Sequence, residues 1–214
     1  ISAQSFKEIL PLIEPGVSER AIGAKLDYLF KMNGGDGPSF ETIVASGYRG
    51  SWAHGVASDK KIQKGELIVI DFGSFYHGYT ADITRTVALG HVEPELEKIY
   101  YIVLEAQKRG IAAAIAGNTG KDIDQAGRNY IREQGYGEYF GHGIGHGIGL
   151  EVHELCTPAM PYSKEVMKNN MAITVEPGIY LPDRGGVRIE DDVLIKDNHP
   201  YVMSQLPKDE LLIL

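Results

Sequence analysis

Four carboxylic acids stand at or near the ends of apolar segments, where a charged side chain needs a compensating partner. Asp71 follows the apolar run Leu67–Ile70, and Asp82 comes 11 residues later in the segment that returns from it. Glu176 follows a second apolar run, and Glu190 comes 14 residues after it. An uncompensated buried carboxylate costs several kcal/mol, so two such pairs facing each other predict bridging by two divalent cations. For Asp71 alone, an ordinary strand-end residue in a turn is the alternative.

The segment FGHGIGHGIGLEVH, residues 140–153, holds three of the seven histidines, His142, His146 and His153. Residues 140–149 are called the glycine-rich loop below. Its glycines lack the GxGxxG spacing and the lysine of nucleotide-binding loops, which argues against a dinucleotide site. Histidines among glycines favour close backbone approach to a substrate, with imidazoles that reach a metal ion or a carbonyl. A purely structural glycine loop is the alternative.

These residues must be positioned by the elements around them, and the apolar spacing predicts the same order of elements in both halves. The first half predicts a helix over 3–13, a helix capped by Ser18 and ended by Asn33–Gly35, strands at 43–45 and 67–70, a turn at 73–78, and a returning strand over 80–89. The second half predicts a helix from Pro94 to Gly117, a helix that stops at Gly135, and strands at 171–175 and 187–195. Alternation along the last strand places Arg188, Glu190 and Asp192 on one face.

An internal repeat relates the two halves. One set of residues precedes its counterpart by 101 positions: Gly16, Ile22, Phe30 and Gly34 match Gly117, Ile123, Ile131 and Gly135. The segment IVIDFG, 68–73, precedes ITVEPG, 173–178, by 105 positions, with an acid at the same strand end. We therefore expect an α+β fold in which duplicated helix–helix–antiparallel sheet halves enclose a metal site.

Composition limits the classes of partner. The 214 residues carry 29 acids and 21 bases, a net charge of −8, which argues against nucleic-acid binding through bulk charge. A single cysteine, Cys156, excludes an internal disulfide framework and fits a reducing, cytoplasmic compartment. No uncharged stretch approaches the roughly 20 residues that span a bilayer, so no membrane association is expected.

The ordered pattern His54, Asp71, Asp82, His146, Glu176 and Glu190 resembles that of the pita-bread metallopeptidases. Within them, GHGIGHGIGLEVHE, TVEPGIY and GGVRIEDD are most similar to the aminopeptidase P and prolidase branch. The resemblance covers nearly the whole chain and implies a pita-bread fold, in agreement with the internal repeat.

The resemblance also implies a role for each matching residue. Asp71 would bind one metal ion, His146 and Glu176 the other, and Asp82 and Glu190 would bridge both. Glu176 would accept and pass on a proton, and His153 and His54 would contact the carbonyl and its developing oxyanion. His142 and Arg188 match positions around the substrate and the metal ligands. The donor set suits two divalent ions, with Mn²⁺ expected first and Co²⁺, Fe²⁺ or Zn²⁺ as alternatives.

The first functional hypothesis is a two-metal Xaa-Pro aminopeptidase, which removes an N-terminal residue that precedes proline. Alternatives are an Xaa-Pro dipeptidase (prolidase), a non-catalytic pita-bread binding module, and a creatinase-like hydrolase that needs no metal. We expect one catalytic domain over 1–214, with pseudo-repeats at about 1–92 and 93–214. The resemblance also implies a further N-terminal domain, which supports homo-oligomers in the family and which we expect to be absent from this chain.

Overall fold

The helices and strands follow one another in the order that the sequence predicts, and the structure adds several short strands. The computed structural model describes residues 1–159 and 161–214, apart from the side chains of residues 155–158, so the side chain of Cys156 lies outside the described residues. In this part of the chain the α-helices are α1 (Ser2–Ile9), α2 (Glu19–Met32), α3 (Pro94–Ala113) and α4 (Gly120–Glu133). The strands are β1 (Gly37–Pro38), β2 (Ile43–Ser46), β3 (Glu66–Phe72), β4 (Ser74–Phe75), β5 (Ile83–Leu89), β6 (Gly145–Gly147), β7 (Glu154–Ala159), β8 (Ala172–Val175), β9 (Gly178–Leu181), β10 (Gly185–Arg188), β11 (Asp191–Lys196), β12 (His199–Val202) and β13 (Leu212–Ile213).

The first half packs α1 and α2 against a sheet of strand order β13-β5-β3-β2. Ser18 is the N-cap of α2, since its hydroxyl accepts a hydrogen bond from the backbone N–H of Ala21 at 3.2 Å. The apolar stripe of α2 is buried in one core cluster with β3, where Phe6 stacks on Phe72 with ring centroids 5.1 Å apart. This core holds β3, in which Asp71 is the second-last residue.

The second half packs α3 and α4 against a sheet of strand order β12-β11-β8-β6-β7. Pro94 is the first residue of α3, where its missing N–H costs nothing. Thr119 and Asp122 form a capping box at the start of α4. Helices α2 and α4 have 14 residues each, and their first residues lie 101 positions apart, the offset of the sequence repeat.

The two halves meet where β5 lies against residues 188–192. The backbone N–H of Glu190 donates to the carbonyl of Thr84 at 3.1 Å, and that of Arg188 donates to the hydroxyl of Thr86 at 3.2 Å. The Arg85 guanidinium donates to the Glu190 carbonyl at 2.6 Å and to the Asp191 carboxylate at 2.7 Å. These contacts bring the acids of the two halves together.

Two predicted elements differ from the structure in more than their end points, whereas others only end or begin earlier or later, such as α3, which ends at Ala113 instead of Gly117. The predicted strand over 187–195 is divided into β10 and β11, because the chain leaves the β9 pairing at Arg188 and joins β8 from Asp191 onward. The predicted turn at 73–78 contains β4, which pairs with β1, and the reversal itself is confined to His77 and Gly78. Among the described residues, no helix is long and apolar enough to cross a membrane.

Candidate metal centre and active site

Four of the predicted ligands converge where the two halves meet. A carboxylate oxygen of Asp82, one of Glu190 and a ring nitrogen of His146 all lie within 4.8 Å of one another. Nε2 of His146 is 3.6 Å from Oδ2 of Asp82 and 3.4 Å from Oε1 of Glu176. Asp82 immediately precedes β5, His146 lies on β6, and Glu176 immediately follows β8. The cluster therefore draws on both sheets.

Three buried carboxylate oxygens of the predicted ligands have no hydrogen-bond partner among the described residues. They are Oδ1 of Asp71, Oδ1 of Asp82 and Oε1 of Glu190. A buried polar atom without a partner costs about 1–3 kcal/mol, and more when the group is charged. Divalent cations satisfy such oxygens, and oxygen donors with one imidazole suit Mn²⁺, Fe²⁺, Co²⁺ or Zn²⁺. These residues thus fit a divalent-metal site.

The crowding of these acids changes their titration in the metal-free protein. Burial raises the pKa of Asp82 and Glu190 well above the usual range, and the neighbouring carboxylates raise both further. Burial also raises the pKa of Glu176 to about 8, against the opposing charge of Arg188. Cations among these carboxylates would favour their ionised forms.

His146 has the tautomer that a metal ligand requires. Burial lowers its pKa to about 4, so the ring is neutral near pH 7. Its Nδ1 lies 3.1 Å from the carbonyl oxygen of Gly147, which accepts only, so Nδ1 carries the hydrogen. The lone pair of Nε2 therefore points toward Asp82 and Glu176, and the backbone carbonyl fixes the ring as in many metal-ligating histidines.

Arg188 is buried behind Asp71, and acceptors surround its guanidinium. It donates to Asp71 Oδ2 at 2.7 Å, to Thr84 Oγ1 at 3.1 Å, and to both the Ala53 carbonyl and the Tyr180 hydroxyl at 3.0 Å. With these contacts, Arg188 fixes the position of the Asp71 carboxylate. The direct substrate contact that the sequence predicts for Arg188 stays a prediction.

Thr84 forms the corresponding support for Glu190. Its hydroxyl donates to Glu190 Oε2 at 2.6 Å and accepts from Arg188 Nε. In Glu190, as in Asp71, one carboxylate oxygen is thus held by the protein. The other oxygen has no partner among the described residues and is available to a cation.

His142 belongs to a hydrogen-bonded chain that begins at Arg188. Burial lowers the pKa of His142 to about 4, and its Nδ1 lies 2.7 Å from the Gly143 carbonyl, so Nδ1 is the donor. Nε2 then accepts from the hydroxyl of Tyr180 at 2.8 Å, and that hydroxyl accepts from Arg188. Burial raises the pKa of Tyr180 to about 12, which keeps it protonated as this chain requires.

A cavity of about 500 Å³ opens above the cluster. All of the predicted site residues line it: His54, Asp71, Asp82, His142, His146, His153, Glu176, Arg188 and Glu190. The rings of His153 and His146 have centroids 4.1 Å apart. The side chains of His54 and His153 are exposed, so a ligand can reach them. Apolar wall is supplied by Phe40, Ile43, Val56 and Val152.

Gly145 is needed for the packing of β6 against β8, and not only for room around a substrate. A Cβ atom at Gly145 would lie 1.9 Å from the carbonyl oxygen of Thr174 on β8, so only glycine lets β6 approach this closely. The neighbouring His146 is positioned by that approach, and its N–H donates to the Thr174 hydroxyl at 3.0 Å. Gly141, by contrast, has no neighbour within 4 Å of such an atom.

Sequence reasoning missed two supporting side chains, Tyr180 and Thr84. Tyr180 stands in the apolar segment GIYL and Thr84 in an alternating strand, where each resembles an ordinary sheet residue. The only signal was polarity: a hydroxyl on a buried strand beside an acid needs a partner.

A sequence model of metallopeptidase family M24 matches residues 1–197. A curated relative from Pyrococcus horikoshii, named Xaa-Pro dipeptidase, is 53% identical over 186 residues, which are 87% of this chain and 53% of the relative.

Two solved structures cover the whole of this chain. The Xaa-Pro dipeptidase from Bacillus anthracis is 49% identical with a TM-score of 0.97, and the match takes in 59% of that chain. The X-Pro aminopeptidase from Thermotoga maritima is 45% identical with a TM-score of 0.96, and the match takes in 60% of that chain. The present chain thus spans between half and two thirds of the length of these relatives.

Proposed function

The chain belongs to metallopeptidase family M24, and from this premise we propose that its full-length protein is a two-metal Xaa-Pro dipeptidase. Membership confirms the predicted pita-bread fold. The sequence placed an aminopeptidase P-like activity first and a dipeptidase second. The relatives support the dipeptidase better, because those from Pyrococcus horikoshii and Bacillus anthracis are named Xaa-Pro dipeptidases. Relatives named as peptidases also argue against a non-catalytic module.

The observation that carries the proposal is the set of partnerless buried carboxylate oxygens beside a neutral imidazole at the floor of a cavity. Two divalent ions would be held by Asp71, Asp82, His146, Glu176 and Glu190, as the resemblance implies. When bound, such ions polarise a peptide carbonyl and activate a water molecule. Manganese is the first expectation, and Co²⁺, Fe²⁺ and Zn²⁺ are alternatives that suit the same donors. The same donors argue against a creatinase-like hydrolase that needs no metal.

The side chains that face the cavity have complementary roles in the proposed reaction. The carboxylate of Glu176 accepts a proton from the attacking water and passes it to the leaving proline nitrogen. The exposed rings of His54 and His153 donate to the carbonyl oxygen as negative charge develops on it. His142 and its chain to Arg188 hold one side of the cavity.

The apolar wall of the cavity suits a proline ring, and about 500 Å³ lies within the range of small-ligand sites. The substrate class we propose is accordingly a short peptide with proline in second position. Homo-oligomers of the full-length protein and a cytoplasmic location remain part of the proposal. The proposal includes no nucleic-acid or membrane partner.

Relative rates on three peptides test this function. The full-length protein, loaded with Mn²⁺ or Co²⁺, is assayed with Ala-Pro, Ala-Pro-Ala and Met-Ala-Ala. We expect Ala-Pro to be cleaved fastest and Met-Ala-Ala slowest. Selective release of methionine from Met-Ala-Ala would move the assignment to the methionine aminopeptidases of the pita-bread group.

An Xaa-Pro aminopeptidase is the second candidate, and the similarity to the enzyme from Thermotoga maritima favours it. The same assay separates the two, because an aminopeptidase prefers Ala-Pro-Ala over Ala-Pro. No release of any residue from the three peptides would contradict both candidates.

A further inference from the structure

Glu19, the first residue of α2, is a fully buried acid whose side-chain hydrogen bonds all reach one loop. Its Oε1 accepts from the backbone N–H and the hydroxyl of Ser46, both at 2.8 Å. Its Oε2 accepts from the hydroxyl of Ser58 at 2.6 Å, from the N–H of Ser58 at 3.1 Å, and from Arg49. One carboxylate thus closes both ends of a loop that spans residues 46–58, called the His54 loop.

The His54 loop delivers two groups to the site. His54 lines the cavity, and the carbonyl of Ala53 accepts from the guanidinium that braces Asp71. No hydrogen bond from a described residue holds the ring of His54, so its position depends on the loop backbone. That backbone is further fixed by Arg49, which donates to the Val56 carbonyl at 2.8 Å.

Asp124 on α4 is a second fully buried acid with the same relation to the glycine-rich loop. Its Oδ1 accepts from the N–H of Ile144 at 3.0 Å, and both of its oxygens pair with Arg128 at 2.6 and 2.9 Å. Arg128 in turn donates to the carbonyls of Phe140 and His142. The acid therefore fixes the loop two residues before His146.

We propose that Glu19 and Asp124 are positioning residues that place the histidines of the site, and this rests on the proposed function. Each acid lies on the second helix of its half and contacts no reacting group. Glu19 holds its histidine-bearing loop through several charge-assisted hydrogen bonds, and Asp124 holds its loop through one such bond and through its ion-pair partner Arg128. Charge-assisted hydrogen bonds fix the backbone more firmly than neutral ones. The two acids do not occupy equivalent positions of the repeat, since Glu19 opens α2 and Asp124 is the fifth residue of α4.

The test compares Glu19→Gln and Asp124→Asn in the Mn²⁺-loaded full-length protein. Each substitution replaces one accepting carboxylate oxygen by an NH₂ group, which then faces the N–H or O–H donors that the oxygen had accepted from. We expect kcat/KM for Ala-Pro to fall about 10-fold to 100-fold in each variant, as for other residues that orient a site. Asp124→Asn weakens Mn²⁺ binding about 10-fold through His146. Glu19→Gln weakens it less, because its loop reaches the ligand Asp71 only indirectly, through the Ala53 carbonyl and Arg188.

A double-mutant cycle separates positioning from general destabilisation. In a His54→Ala background, Glu19→Gln should change kcat/KM less than about twofold, whereas Asp124→Asn should keep its full effect. Losses that multiply independently in both backgrounds would overturn the proposal for Glu19. Ser58→Ala removes the 2.6 Å hydrogen bond to Glu19 and the acceptor of the Lys60 N–H, but it keeps the Glu19 carboxylate. It serves if Glu19→Gln folds poorly, with a smaller loss and the same dependence on His54.

Hydrogen exchange gives a readout that needs no activity. Glu19→Gln should accelerate amide exchange in residues 46–58 alone, and Asp124→Asn should do so in residues 140–147 alone. Uniform acceleration across the chain, or none in these loops, would overturn the positioning roles. If the wild-type protein cleaves no Xaa-Pro peptide, the proposed function fails. Amide hydrogen exchange and the measured Mn²⁺ affinity of the variants then still decide the roles of the two acids.

Discussion

Replacing Arg188 by methionine removes the only cation that contacts Asp71 among the described residues. The pair is buried, with 3% of the Arg188 side chain and 13% of the Asp71 side chain exposed. Removing one partner of a buried ion pair costs about 3–5 kcal/mol, because the other charge stays buried and uncompensated. Methionine keeps much of the side-chain volume, so the loss reports mainly on charge and hydrogen bonds.

A matched control lies nearby in the β9–β10 turn. Arg184 pairs with Glu93 and Glu95, yet 39% of its side chain is exposed, so Arg184→Met should cost less than about 1 kcal/mol. Both variants are compared with wild type by denaturant unfolding, first without metal and then with saturating Mn²⁺.

The metal dependence is the sharper part of this prediction. We expect the deficit of Arg188→Met to be largest without metal and to shrink with Mn²⁺, because a bound cation supplies Asp71 with the charge that arginine provided. A metal-free deficit no larger than that of Arg184→Met would refute the reasoning about the buried pair. A deficit that stays constant with Mn²⁺ would show that Asp71 is no metal ligand.

Three further predictions concern the same site. Gly145→Ala should destabilise the protein by about 3 kcal/mol or more, because its Cβ would lie 1.9 Å from the Thr174 carbonyl oxygen. The control Gly141→Ala should change the free energy of unfolding by no more than roughly 0.5 kcal/mol. Equal melting temperatures for the two variants would contradict this. Glu176→Gln should lower kcat for Ala-Pro at least about 100-fold with the fold intact by circular dichroism, and near-normal turnover would exclude the proton-transfer role. Mn²⁺ binding should release protons, since burial raises the pKa of Glu176 to about 8 and a ligand must be ionised. The apparent affinity should therefore rise from pH 6 to pH 8, and calorimetry in buffers of different ionisation enthalpy should show the release. Identical heats in all buffers would argue against it.

The sequence was informative where a local signal and a repeated pattern agreed. Ser18 before an apolar stripe predicts the cap that α2 has, and the 101-residue offset recurs in the bounds of α2 and α4. The acids at apolar strand ends predicted a cluster because a lone buried charge is too costly to leave without a partner. The structure brings them to one cavity.

Features that depend on tertiary contacts were beyond these patterns. The break between β10 and β11 places the Glu190 N–H against Thr84, a contact between residues 106 positions apart that alternation within one strand does not reveal. Tyr180 gains its role only because folding brings both His142 and Arg188 within hydrogen-bonding distance of its hydroxyl. The glycine at 145 is explained by the Thr174 carbonyl, which lies on another strand.

The most direct test of a metal-dependent Xaa-Pro peptidase is a titration of activity with metal. Mn²⁺ is added stepwise to metal-free full-length protein, and proline release from Ala-Pro is measured at each step. We predict no activity without metal, a rise with added Mn²⁺, and saturation near two equivalents. Full activity in the rigorously metal-free protein, or no activity at any Mn²⁺ or Co²⁺ concentration, would contradict the central claim.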